Sequence, residues 1–389
     1  MWNHVLTLHV ITYIDYKFKF GEIMSINLLS EIKTGDITLK NRIAMAPMTR
    51  SRAPQNLATE LMAKYYTQRA SAGLLITEGT QISEQGIGYP WTPGINTPEH
   101  AKAWKVVTDS VHAAGGRIFA QLWHVGRMSH RVFHNGELPV APSAIGVEAK
   151  HFTHKGMLDL ETPRALDIEE IPGIVNDYAK AALLAIEAGF DGVEIHGANG
   201  YLIDQFINSN SNKRADAYGG SIENRGRFAL EVVNAVVKAV GAERTAIRLS
   251  PGGVTSGMLD ENPFETYGYV IKKLANYNLA YLHLMEALAP IDGLPQYQIF
   301  KQGVAKTFRP FYPGTIMING GYDLEKATAV IASGDADIVS FGKLFIANPD
   351  LPVRFETGAT LNPLLGHETF YGGGEHGYTD YPALELATA

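Results

Sequence analysis

Eight short apolar, β-branched runs, each followed by a longer amphipathic stretch, predict an α/β protein folded as a single (β/α)8 barrel of the TIM type. The runs are RIAMAPMTR from Arg42, LLITEGTQI from Leu74, RIFAQLWHV from Arg117, GVEIHGAN from Gly192, TAIRLSP from Thr245, LAYLHLMEA from Leu279, TIMINGGY from Thr315 and ADIVSFGKLF from Ala336. Polar residues collect at the C-terminal ends of these runs, the end at which barrels carry their sites.

Taken in order, ITLKN from Ile37 precedes the first run and reads as part of a small N-terminal hairpin capping the barrel bottom. After the third run, DIEE from Asp167 has the Asp-x-x-Glu spacing of a capping box, and Ile174, Tyr178, Ala181, Ala182 and Ala185 recur at helical spacing until Gly189. The stretches from Val125 to about Pro163 and from Glu286 to about Pro313 are too long for ordinary barrel loops, and both are expected as lids on the C-terminal face. With no repeat, low-complexity tract or linker, residues 24–389 read as one domain. Residues 1–23 lack a positively charged start and a small-residue cleavage site, so they read as a disordered extension rather than a signal peptide.

Composition narrows the partners. The 389 residues are 46% hydrophobic and 19% charged, enough to bury a large core. A net charge of -7 offers no basic face for nucleic acid or an anionic membrane, and no apolar run approaches the ~20 residues that span a bilayer. The absence of cysteine removes disulfides, iron–sulfur clusters, thiolate zinc sites and cysteine nucleophiles, and fits a cytoplasmic location.

Side chains alternate along a barrel strand between interior and helix-facing sides. With Val193 and Ile195 facing the helices, Glu194 and His196 point inward, as do Gln121 and Trp123 on the third strand and Arg248 on the fifth. Burying unpaired polar groups costs ~2–7 kcal/mol each, and barrel interiors are ordinarily aliphatic. Alone, His196 reads as a satisfied core histidine. Together with Thr49, Gly79, Gln121 and Arg248, each near the end of a different strand, it points to a polar ligand docked over the mouth. The seventh and eighth strands end in NGGYD and SFGKLF, where backbone N–H groups at Gly320, Gly321 and Gly342, with Lys343, suit a phosphate; plain turn glycines are the alternative.

The segments APMTRSRA, TEGTQIS, QLWHVGR, HGANGYLIDQFINSNSNKRADAYGGSIENRGRF, IRLSP, INGGYD and FGKLFIANPDLPVRF together resemble the old yellow enzyme family of FMN-dependent ene-reductases, in order, from Met24 to Leu384. The likeness is closer to bacterial N-ethylmaleimide reductases and plant oxophytodienoate reductases. It implies a non-covalently held FMN, with NADPH or NADH as reductant, acting on small activated alkenes such as enones, maleimides and nitroalkenes. The family occurs as monomers and homodimers. By the same resemblance, Arg248 matches the arginine beside flavin N1 and O2, Gln121 the amide that pairs with the pyrimidine edge through one donor and one acceptor, and Thr49 the threonine near O4 and N5. Pro47, Met48, Gly79 and Thr80 would line the ring, and Gly320, Gly321, Gly342 and Lys343 would hold the phosphate. His196 and Asn199 match the pair that grips the substrate oxygen, Tyr201 the proton donor, and Tyr89, Trp123 and Tyr371 the aromatic walls.

Lys343 departs from the family's arginine, keeping the charge but losing the bidentate fork. GRMSHRVFHNGELPVAPSAI looks shorter than its family equivalent, which leaves substrate range at the mouth open, and Arg127 within it is expected to face either the pocket or the surface. GGGEHG from Gly372 fits G-x-G-x-x-G but follows no expected strand and opens no helix. His130 with His134, and His151 with His154, lack a carboxylate partner in a helical context and read as loop histidines, so no metal is expected. Glu78 and Glu194 read as buried partners for basic groups. The rival functions are an iron–sulfur dienoyl-CoA reductase, opposed by the lack of cysteine, a non-catalytic FMN-binding barrel, and another phosphate-binding barrel oxidoreductase.

Overall fold

The computed structural model describes residues 27–384, so the expected extension over residues 1–23 lies outside the described residues. Eight strands form the barrel: β1 Ile43–Met45, β2 Leu74–Ile76, β3 Ile118–Trp123, β4 Gly192–Gly197, β5 Thr245–Leu249, β6 Tyr281–Met285, β7 Ile316–Asn319 and β8 Ile338–Phe341. Each pairs in parallel with its successor, and β8 pairs with β1 through Ser340 and Ala44, which closes the ring. The outer helices are α1 Glu60–Thr67, α2 Pro98–Ala113, α3 Ile171–Glu187, α4 Ile222–Val240, α5 Pro263–Leu274, α6 Val304–Phe308, α7 Leu324–Ser333 and α8 Leu351–Thr357. The expected hairpin forms from Ile32–Thr34 and Ile37–Leu39. Its Leu39 packs with Ala44, Leu74, Ile76, Phe119, Ala246, Tyr281, Met317 and Ile338 in the lower barrel interior.

The pleat sorts the strands as the alternation predicts. Ala120, Leu122, Val193, Ile195, Ile247 and Leu249 join the helices in the main core, while Phe119 and Ala246 share the parity of Gln121 and Arg248 and fill the interior. Helix α3 buries Ile174, Tyr178, Ala181, Ala182 and Ala185, and the three alanines let it pack closely on α4, whose Phe228, Val232, Val233 and Val236 are buried too. Thr59, Thr97, Ser221 and Asp323 cap α1, α2, α4 and α7 by accepting a backbone N–H.

Two local expectations change. Helix α3 begins at Ile171, not beside Asp167, because Pro172 occupies the first turn, where a missing N–H costs nothing. Only the reach-back half of the capping box forms, with Asp167 N donating to Glu170 Oε2 at 2.7 Å. The stretch from Glu286 to Pro313 is not simply a lid. It contains a 3-10 segment, Pro295–Gln302, and α6, and Phe300, Val304, Ala305 and Phe308 sit in the main core, so its second half is the barrel's own crossover. The earlier long stretch carries an antiparallel hairpin, Lys150–Thr153 with Gly156–Asp159. Among the described residues no helix is long and apolar enough to cross a membrane.

Candidate active site

Four rings meet at the mouth. Tyr89 stacks on Trp123 with centroids 5.5 Å apart, and Trp123 stacks on His196 at 6.2 Å. Tyr201 stands edge-on to both, 5.0 Å from Trp123 and 4.9 Å from His196, with its hydroxyl 3.4 Å from that of Tyr89. Trp123 and His196 arrive here because both are inward residues at the ends of neighbouring strands; β3 and β4 are in register with Gln121 opposite Glu194. Gly79 lets the indole lie against the backbone, since a Cβ there would come within 2.4 Å of the Trp123 ring. Burial holds the Tyr201 hydroxyl well above the usual phenol range, reinforced by Tyr89 and Tyr371. Burial, aided by Arg248 and His283, holds the His196 imidazole well below its ordinary value, so it is neutral. Ala198 N donates to His196 Nδ1 at 3.4 Å, which leaves the proton on Nε2.

The turn after β4 is built from two consecutive left-handed residues, Asn199 (φ 61°) and Gly200 (φ 78°). Asparagine is among the few side chains that tolerate this conformation. A buried network holds it: Asn199 N donates to Ser250 Oγ at 2.8 Å, Gly200 N donates to Asp204 Oδ2 at 2.8 Å, Ser250 Oγ donates to the same oxygen at 3.3 Å, and the Tyr267 hydroxyl donates to Asp204 Oδ1. Burial pushes the Asp204 carboxyl up to about 6.

One layer below, Gln121 Nε2 donates to Glu194 Oε1 at 2.8 Å, and His283 bridges Glu194 Oε2 at 2.8 Å and Ser340 Oγ at 2.9 Å. Arg248 Nη2 donates to Asn319 Oδ1 at 2.9 Å, while its buried Nε has no partner. Burial would raise the Glu194 carboxyl, but His283 and Arg248 together hold it below the usual range, whereas burial keeps His283 down and neutral.

Around this plug, Pro47, Met48 and Thr49 are half-buried in the loop after β1, and Thr80 is buried after β2, its hydroxyl donating to Glu78 O at 2.9 Å. Gly320 and Gly321 follow β7 with φ of 120° and 71°. Gly342 precedes the short helix Lys343–Ala347, and a Cβ on it would lie 3.4 Å from Met48 Sδ, so the ends of β1 and β8 adjoin. Lys343 is exposed. Tyr371 is 48% exposed on a C-terminal strap, not enclosed with the other three aromatic residues. Its hydroxyl still lies close enough to raise those of Tyr89 and Tyr201. The strap is held by arginines: Gly372 N donates to Arg50 O at 2.9 Å, Arg50 Nη2 donates to Gly377 O at 2.8 Å, and the Arg52 guanidinium lies 4.2 Å over the Tyr378 ring and donates to Gly374 O. GGGEHG is part of this strap.

Arg127 faces neither pocket nor surface. It is 3% exposed and ties Ile145 O, Ser256 O and Gly257 O together. Glu194 is partnered as expected, but Glu78 accepts from the backbone N–H groups of Arg50 and Ser51 rather than from a guanidinium. His134 bonds Ser129 Oγ and His151 bonds Gly88 O, and His130 lies 3.4 Å from Glu161. Sequence reasoning missed Asp204, Ser250, Tyr267, His283 and Asn319. Two left a trace: Asp204 is an acidic residue inside the apolar YLIDQFI, and His283 has inward parity on β6.

Residues 27–362 match the family described as NADH:flavin oxidoreductase / NADH oxidase. A putative 12-oxophytodienoate reductase 5 of Oryza sativa subsp. japonica is 47% identical over 357 residues, 90% of this chain and 93% of that protein. The 12-oxophytodienoate reductase 2 of Arabidopsis thaliana is 43% identical over 383 residues, 93% and 96% of the two chains. Among solved structures, morphinone reductase superposes with a TM-score of 0.89 at 45% identity, covering 95% of this chain and 99% of its own. An old yellow enzyme homologue from Zymomonas mobilis gives 0.87 at 45%, covering 92% and 100%. With this fold and this mouth, the chain belongs to the NADH:flavin oxidoreductase family, within the old yellow enzymes, and is an oxidoreductase.

Proposed function

We propose that this protein is a NAD(P)H-dependent FMN ene-reductase that reduces the activated C=C bond of α,β-unsaturated carbonyl compounds, maleimides or nitroalkenes. The observation that carries the proposal is Arg248: a buried guanidinium at the barrel mouth with one donor on Asn319 and Nε unspent. A buried cation with open donors suits a planar, electron-accepting ring that becomes anionic. The residues around it fit FMN. Gln121 has its carbonyl and one N–H free, Pro47, Met48, Thr49, Gly79 and Thr80 edge the same opening, and Gly320, Gly321, Gly342 and Lys343 are grouped at the β7 and β8 ends for one phosphate.

When bound, FMN supplies the hydride chemistry, taking hydride from a nicotinamide and passing it to the substrate β-carbon. His196 presents Nε2–H, and Asn199 its side-chain amide, to the substrate's carbonyl or nitro oxygen, and both stabilise the charge that develops there. A neutral histidine suits this role because it donates without releasing a proton. Tyr201, protonated throughout the working pH range, delivers its Oη proton to the α-carbon, and Tyr89 Oη is the adjacent hydroxyl for its return. Trp123 and Tyr89 exclude water from that face, with Tyr371 at the outer edge. Morphinone reductase has been solved with tetrahydroNAD, which supports a nicotinamide entering this same mouth. The intact His196, Asn199, Tyr201 and Arg248 favour turnover over a passive flavin carrier.

Purified protein is tested for a yellow flavin spectrum, anaerobic bleaching by NADH and by NADPH, and reoxidation by cyclohexenone or N-ethylmaleimide. A preparation that stays colourless and inert after reconstitution with FMN refutes the proposal.

A further inference from the structure

The interior of the barrel just below the mouth carries a polar plug that the proposed reaction does not itself use. Glu194 is its centre: completely buried, with both oxygens committed, Oε1 to Gln121 Nε2 at 2.8 Å and Oε2 to His283 Nδ1 at 2.8 Å. His283 is anchored in turn by Ser340 on β8, and Asn319, which receives Arg248, donates to Ser340 O at 2.8 Å. Six strands, β3 to β8, therefore each contribute one residue to a network around one carboxylate and one guanidinium, with His196 on β4 opposite Arg248 on β5 and Arg248 opposite His283 on β6.

Two consequences follow from elementary chemistry. An ionised carboxylate only accepts hydrogen bonds, so it takes one N–H of the Gln121 amide, which fixes which way the amide is turned and leaves the carbonyl and the second N–H for whatever lies above. A fully buried carboxylate within the field of a fully buried guanidinium also cancels much of that cation's charge, and in a low-dielectric interior little else screens it. We propose that Glu194 is a positioning residue for the flavin, acting through Gln121, whose amide it locks in one orientation, and through Arg248, whose charge it offsets, so that it lowers the reduction potential of the bound FMN. This deepens the flavin assignment of the mouth and rests on it. No contact between Glu194 and the cofactor is implied.

The test is the two-electron midpoint potential of the FMN holoenzyme, measured with reference dyes under anaerobic conditions, for the wild type and Glu194→Gln. Removing the negative charge leaves Arg248 unopposed, so reduced, anionic FMN should be held roughly tenfold or more tightly relative to oxidised FMN, an upward shift of about 30 mV or more. Glu194→Asp, which keeps the charge but shortens the reach to Gln121, should stay near the wild-type potential while binding FMN more weakly. An unchanged or lowered potential in Glu194→Gln that still holds FMN overturns the inference and leaves the flavin assignment standing, whereas failure of the wild type to bind FMN overturns the assignment itself.

If the variants do not fold, the wild type decides. With 15N-glutamine labelling of the wild type, the Gln121 side-chain NH2, identified by its contact to the Glu194 carboxylate, should show one of its two protons protected from exchange before FMN is added and keeping nearly the same shift afterwards. Two Gln121 NH2 protons that both exchange freely in the apoprotein and both move on FMN binding would mean that Glu194 does not hold the amide, and the locking role would fall.

Discussion

Glu78 stands one residue before Gly79 and is 1% exposed. Its Oε2 accepts from Arg50 N at 3.0 Å and Ser51 N at 3.1 Å, while Oε1 is buried without a partner. Burial pushes its carboxyl up from 4.5 to about 7, despite those two N–H groups and the nearby Arg50 and Arg52 guanidiniums. The native state therefore keeps this proton up to about pH 7, whereas the unfolded chain releases it from about 4.5 upward. Between those values the native state binds more protons, so stability falls as pH rises, and the loss is complete above the folded value. At 1.36 kcal/mol per pH unit the full loss is about 3 kcal/mol, of which about 2 kcal/mol falls between pH ~5.5 and ~8.5. Glu78→Gln keeps the acceptor for both N–H groups but places an unpartnered NH2 in the orphan corner, a pH-independent cost of ~1–3 kcal/mol. Guanidinium chloride unfolding of both proteins, as apoproteins at these two pH values, should therefore show the variant gaining about 2 kcal/mol on the wild type as pH rises. The gain should change little with salt, because the group is shielded from solvent. Parallel stability profiles for the two proteins would refute a buried, unsatisfied carboxyl at this position.

Tyr201→Phe should slow reoxidation of reduced enzyme by an enone ~10²–10⁴-fold while leaving nicotinamide-driven bleaching within a few-fold, as stopped-flow half-reactions would show; equal slowing of both would remove it as proton donor. His196→Ala should weaken phenolic ligands about tenfold or more and retain FMN, measured by the long-wavelength band of the complex; loss of FMN instead would make the residue structural. Asp204→Ala orphans the buried donors of Gly200, Ser250 and Tyr267, at ~1–3 kcal/mol each before relaxation, and should lower the denaturant midpoint and phenol affinity together. An unchanged phenol affinity would show that the Asn199 turn holds itself.

How much was legible in the chain follows from the range over which each feature is specified. The eight strands, the inward parity of Gln121, Trp123, Glu194, His196 and Arg248, and the helical face of α3 all depend on local periods of two and 3.6, and these are written residue by residue. The glycine-bearing ends of β7 and β8 were likewise visible in the chain, whereas the bottom hairpin was an expectation that the local period of ITLKN could not establish by itself. The start of α3 was misplaced by one turn because a proline in the first turn outweighed an acidic spacing pattern, and the second supposed lid concealed a short helix whose apolar residues carry no distinct period.

Tertiary structure alone decided which polar residues share a hydrogen bond. Register around a closed barrel brings Gln121 opposite Glu194 and Arg248 opposite both His196 and His283. Likewise, the left-handed turn at Asn199 is held by Ser250, 51 positions away, and its neighbour Asp204 is itself fixed by Tyr267, 63 positions away. Such pairings are set by closure of the ring, a constraint shared by all eight strands at once, so no window of sequence contains them. Residue type and face were local information; partner, charge balance and the direction in which the Gln121 amide points were not.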